Sequence, residues 1–143
     1  MGYYIQQIDS KFFIAAKDKP MALQAIRYLR YTENSTGSGR HSKHGKTVRH
    51  FSWVDTSTFD DINTLEGMLE EWGWLTSMKI TNDIVDICFN REKLGDETIL
   101  FEAIAPYVKH GSYIQMQGEE GSLWRWVFKN GQFEQIFAKI TWD

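Results

Sequence analysis

Apolar and polar positions alternate most regularly in the last 32 residues of this chain. Three segments there, 112–118, 123–128 and 132–142, read as strands separated by Glu119-Glu120-Gly121 and by Lys129-Asn130-Gly131. An Asn-Gly pair between alternating aromatic-rich runs predicts a tight hairpin, because both residues tolerate a positive φ. An antiparallel meander follows. Trp124, Trp126 and Phe128 share one face of its middle strand, and Leu123, Arg125 and Val127 share the other.

Upstream, three stretches switch to the helical period. Ala22, Leu23, Ala25, Ile26 and Leu29 form the first stripe, behind Asp18 and a Pro20 suited to an opening turn, and this helix is expected to end near Tyr31. Leu65, Met68, Leu69 and Trp72 form the second, started by an Asn63 cap with Glu66 three residues on and closed by Gly73. Ile99, Leu100, Ala103, Ile104 and Tyr107 form the third, capped by Asp96 or Thr98 and stopped at Lys109-His110-Gly111. Pro106 within that last stripe implies a kink or a restart, since it removes a helix hydrogen bond and clashes with the preceding turn.

Strand-like runs fill the remainder. Residues 2–16 predict one bent strand or two short ones broken near Asp9-Ser10; 51–54 predicts a strand, followed by a polar turn; 77–80 and 84–89 predict a hairpin through Thr81-Asn82-Asp83. The expected fold class is α+β. It is a largely antiparallel sheet with about three helices packed on one face, in the order β(β)αβ, αββ, αβββ. Helix plus hairpin recurs at a spacing of roughly 35 residues, which hints at an internal duplication.

A chain of 143 residues with 42% hydrophobic content suffices for one self-supporting domain. Six Trp, six Tyr and nine Phe give an aromatic-rich core. A single Cys excludes an intramolecular disulfide, and the first residues do not read as a cationic and apolar signal, so a cytoplasmic location is expected. No apolar run approaches the roughly 20 residues that span a bilayer, which argues against a membrane role.

Charge changes the picture in one place. Residues 34–50, NSTGSGRHSKHGKTVRH, hold three of the four histidines and four of the sixteen cations, with no acid. The rest of the chain carries twelve Lys and Arg against nineteen Asp and Glu. No apolar period runs through this segment, so it is expected as a flexible basic loop facing an anionic or proton-dependent partner. Gly39-Arg-His-Ser-Lys-His-Gly-Lys-Thr47 is close to a phosphate-binding loop, yet it has one residue too many between its glycines and leads into a strand instead of a helix. A looser contact with phosphate or a nucleic-acid backbone through Arg40, Lys43, Lys46 and Arg49 is the alternative that remains. His41, His44 and His50 offer metal-ligand nitrogens with nothing to fix their geometry, so no metal and no cofactor is expected.

Other candidate chemistry reduces to structure. Alternate aromatics such as Trp124 and Trp126 can stack bases, but core packing explains them better. Cys88 is expected as a buried thiol in a strand, and His110 as the favourable cation of a helix C-terminus. The acid pairs Asp60-Asp61, Glu70-Glu71 and Glu119-Glu120 lack the convergent geometry of acid-base catalysis, and no catalytic residue is assigned. Trp72 and Trp74 flank Gly73, so one of them is expected to be exposed as a protein-binding anchor.

The segments His50-Phe-Ser-Trp-Val-Asp55, Glu71-Trp-Gly-Trp74 and Gly111-Ser-Tyr-Ile-Gln-Met-Gln-Gly-Glu-Glu-Gly-Ser-Leu-Trp-Arg-Trp-Val-Phe128 resemble a group of small uncharacterised proteins of bacteria, their phages and mobile elements, over roughly residues 50–143. The resemblance implies a context and no activity, cofactor or site residue. Small proteins of such elements are often inhibitors or adaptors acting on larger machinery, and by analogy the resemblance implies such a role. Residues and resemblance together lead to the expectation of a non-enzymatic interaction protein with a protein partner, nucleic acid being the alternative partner and an unrecognised enzyme the third possibility.

Overall fold

The computed structural model describes residues 2–31, 39–41, 47–49, 51–139 and 141–142, with the backbone alone at 39–41 and 47–49. The fold is α+β. Strand β1 (Ile5–Lys11) is followed by helix α1 (Lys19–Tyr28), the short strands β2 (Gly39–His41) and β3 (Thr47–Arg49), helix α2 (Leu65–Glu71), the hairpin β4 (Trp74–Met78) and β5 (Ile84–Phe89), helix α3 (Glu97–Ile104), and the meander β6 (Tyr113–Gly118), β7 (Leu123–Lys129) and β8 (Gln132–Phe137). Tight helical turns extend α1 through Leu29–Tyr31, precede α2 at Thr56–Asp61 and follow α3 at Ala105–Tyr107.

The meander forms as its alternation predicts. Strand order β1-β6-β7-β8 makes a four-stranded antiparallel sheet, and the Asn-Gly turn carries positive φ at Asn130 (52°) and Gly131 (78°). Ile114, Met116, Trp124, Trp126 and Phe128 are buried on its inner face. Pro106 is accommodated by ending α3 at Ile104 and restarting in a new turn, where a proline needs no hydrogen bond. The expected break in the first strand is a bulge between Gln7 and Asp9 that re-aims the chain toward Phe12 and Ile14, both buried.

Several expected boundaries move. Residues 51–54 form a tight turn rather than a strand, with Val54 N–H donating to Phe51 O. Thr64, not Asn63, caps α2, its hydroxyl accepting from Gly67 N at 3.0 Å. Asp96 stands at the N-cap of α3 as expected, but its carboxylate accepts from Ser52 N rather than from an amide of the helix. Within the expected loop 34–50, the described residues pair as a short ribbon, Gly39 opposite Arg49 and Arg40 opposite Val48. The element order repeats helix plus hairpin, but β4–β5 forms its own sheet whereas β6 lies between β1 and β7.

The two larger sheets meet along β1 and β5. Backbone bridges close both ends, Tyr4 with Lys93 and Ile14 with Ile84. Between them the Gln7 side chain takes the place of a missing peptide: its Nε2 donates to Ile87 O (3.0 Å) and its Oε1 accepts from Phe89 N (2.7 Å). Ser10 Oγ adds a bond to Asp86 (2.8 Å). Gln7→Leu strands one backbone donor and one acceptor of β5 at this seam, and each such group costs about 1–3 kcal/mol. A loss of about 2–4 kcal/mol in urea denaturation is expected. A loss below about 1 kcal/mol would show that water satisfies the seam without the amide.

Candidate functional site

Phe51-Ser52-Trp53-Val54 is a four-residue turn whose third residue sits at φ 66°, a conformation that suits glycine and strains a side chain as large as tryptophan. Local propensity does not put Trp53 there. The loop between β5 and α3 holds it in place: the Arg91 guanidinium donates to Trp53 O and to Glu71 O, Trp53 Nε1 donates to Leu94 O (3.3 Å), and Ser52 N donates to Asp96 (2.8 Å). That loop is itself fastened to the first strand by Leu94 N to Tyr3 O (2.7 Å) and Ile5 N to Glu92 O (2.9 Å). Gly95 permits the close approach, since a Cβ there would stand 3.0 Å from Ser52 O and 3.1 Å from Trp53 Cδ1.

The indole so held is half exposed, at 50%. Tyr4 is 47% exposed, and Lys93 Nζ sits 5.3 Å from the Tyr4 ring centroid and 5.6 Å from that of Trp53. The ammonium links two ring faces in a cation–π arrangement. A shallow depression lined by Trp53, Arg91, Glu92 and Lys93 opens beside them. Beneath, Glu97 is buried and accepts from Gly95 N (2.6 Å). Burial raises its pKa to about 7, and the Asp96 charge adds to the rise while Gly95 N–H and Arg91 oppose it. At the turn's exit, hydrogen bonds from the Ser57 hydroxyl and amide hold the Asp55 carboxyl below its ordinary range.

The site offers two ring faces and a cation on a rigid base, and Glu97 does not line the depression. Among the described residues no three His, Cys, Asp or Glu gather where a metal ion could sit, and no described helix is long and apolar enough to cross a membrane.

The residues singled out in the sequence fall elsewhere. Lys43 and Lys46, with His44 and His50, lie outside the described residues. Arg40 and Arg49 are placed by their backbones on β2 and β3. The expectation that Trp72 or Trp74 is exposed is overturned: both are buried, at 1% and 0%. Gly73 adopts φ 97° and breaks the helical count, so Trp72 stays on the apolar face of α2 against Phe51 (4.9 Å between centroids) while Trp74 opens β4 and turns inward against Phe101 (5.2 Å). A side chain at Gly73 would also collide with Arg91, which needs that space to reach Trp53.

Cys88, expected to be buried, is exposed, because Ile84 and Ile87 take the inward positions of β5 and leave it outward opposite Leu75. His110 has left the helix, and its Nδ1 accepts from Asn130 N (3.1 Å) in the neighbouring hairpin turn. Trp124, Trp126 and Phe128 are core residues as expected. Trp53 itself was not legible as a site. Ser-Trp-Val reads as strand, and only the distant partners Arg91, Leu94 and Asp96 make it a turn. No family model, curated protein or solved structure matches the chain.

Proposed function

We propose that the protein is a non-enzymatic interaction protein, an inhibitor or adaptor that docks on a larger protein through Trp53, Tyr4 and Lys93. The observation that carries this reading is a half-exposed tryptophan held in a left-handed backbone conformation by bonds from three directions. Strain of this kind costs about 1–3 kcal/mol and persists where the surrounding structure over-determines it, most often at functional positions. A rigid, exposed indole loses little entropy on binding, which is why tryptophan is enriched among the residues that dominate interfaces. The partner face suited to this patch has an apolar slot for the indole and a carboxylate for the Lys93 ammonium. A lone exposed thiol at Cys88 fits a reducing compartment, in keeping with action in the cytoplasm.

The test is affinity capture from the source organism with quantitative mass spectrometry, comparing the wild type with Trp53→Gly and Trp142→Ala. Glycine keeps the turn and removes the ring, so folding stability should change by no more than about 1 kcal/mol. Trp142 is 89% exposed and serves as the control for loss of any surface tryptophan. A partner retained by Trp142→Ala and weakened about 30-fold or more by Trp53→Gly is expected. Identical captured sets for all three proteins reject the reading.

A further inference from the structure

Strand β8 ends the sheet order and is exposed along nearly its whole length. Its pairing with β7 determines which backbone groups remain free. The two-residue turn closes on Lys129 and Gln132, and Ala138 N donates to Leu123 O, so the even-numbered residues of β8 bond to β7. Phe133, Gln135 and Phe137 therefore direct their N–H and C=O groups away from the sheet, and among the described residues no strand lies against them. Exposed edges of this kind are templates for another strand. Ile136 (41% exposed) and Phe137 (57%) add apolar surface to the same edge.

We propose that the occupant of this edge is β8 of a second copy, paired antiparallel about a two-fold axis through Gln135. In that register Phe133, Gln135 and Phe137 of one copy face Phe137, Gln135 and Phe133 of the other, and all three free residues are satisfied by about six main-chain hydrogen bonds. Opposite residues of an antiparallel pair share a face, so Phe133 meets the partner's Phe137 on the inner side, where Phe137 already lies 6.1 Å from Trp124. On the outer side each Glu134 falls opposite Ile136, with Arg125 of that copy next across the sheet. Centring the axis on Glu134 instead sets two carboxylates against each other. Centring it on Ile136 pairs Phe133 with Lys139, beyond the strand. The result is one continuous eight-stranded sheet. The Trp53 surface, fastened to β1 at the far edge, is left open in both copies, which makes the pair bivalent.

Sedimentation equilibrium of the full chain, with reductant present to exclude Cys88 cross-links, is the test. The wild type is expected to approach twice the 16.7 kDa chain mass as its concentration rises toward about 1 mM. I136E places carboxylates opposite carboxylates in the proposed register and should weaken self-association at least about tenfold, while its exposed outer-face position leaves the monomer folded. E134K/I136E sets opposite charges across both pairs and should restore association. A wild type that stays at chain mass throughout overturns the proposal, as does a double variant no better than I136E.

Discussion

Phe101→Ala is expected to lower the unfolding free energy by about 3–5 kcal/mol, the range for removing a fully buried aromatic ring. A domain of this size holds about 5–15 kcal/mol in all, so one side chain accounts for a large share. Phe101 has no solvent exposure and stands at the centre of the aromatic core. Its ring lies 5.2 Å from Trp74, 5.3 Å from Trp126, 5.8 Å from Phe128, 6.2 Å from Phe133 and 6.5 Å from Phe12, centroid to centroid. Those five rings come from β4, β7, β8 and the segment after β1, so the cavity left by alanine opens among elements that cannot all move inward together. Phe101→Leu, which fills most of the space, should cost less than half as much. Guanidinium denaturation followed by tryptophan fluorescence measures both, and a cost for alanine below about 1.5 kcal/mol would mean that these rings do not enclose it.

The second large effect is a dependence on pH. Glu97 has a folded pKa of about 7 against an ordinary value of 4.5, so between those values the folded state binds the extra proton. Stability from this group is therefore present below pH 4.5 and declines as pH rises through 7. The full difference is about 3 kcal/mol. Glu97→Gln removes the titration, and its amide oxygen can still accept from Gly95 N. The variant should be more stable than the wild type by about 2–3 kcal/mol at pH 8, and the gap should close toward pH 4.5. Asp55, Asp83 and Glu120 are shifted downward by hydrogen bonds and act in the opposite sense, so the difference between the two proteins isolates Glu97 better than either curve alone. A constant gap across this range would show that Glu97 is ionised throughout.

These two residues also explain where reading the chain was insufficient. The third helix is apolar on most sides, at 99, 100, 101, 103 and 104, and a stripe of Ile99, Leu100, Ala103 and Ile104 fits its period. The structure instead buries Glu97, Leu100, Phe101 and Ile104. A charged residue at one of the inward positions hid the true stripe, because burial of a carboxyl contradicts the rule by which stripes are recognised. Trp72 and Trp74 follow a related logic: a continuous helical period sets two residues so spaced on opposite sides, and the left-handed Gly73 between them ends that period, so both turn inward.

The sequence by itself determined the elements whose causes are local: the meander and its Asn-Gly turn, the hairpin with Asn82 at φ 69°, the stripe of α2 and the restart at Pro106. Turn chemistry and periodicity act over a few residues, and no distant contact had to be known. Only the tertiary structure decided which tryptophans meet solvent, how β1 and β5 are joined through the Gln7 amide, and that among the described residues no strand pairs with the outer edge of β8. Each of these depends on partners 38 to 82 residues apart in the chain or on the order of strands in space. Burial and hydrogen-bond satisfaction are settled by the whole packed chain, so a strained turn at Trp53 exists only because Arg91, Leu94 and Asp96 are brought to it.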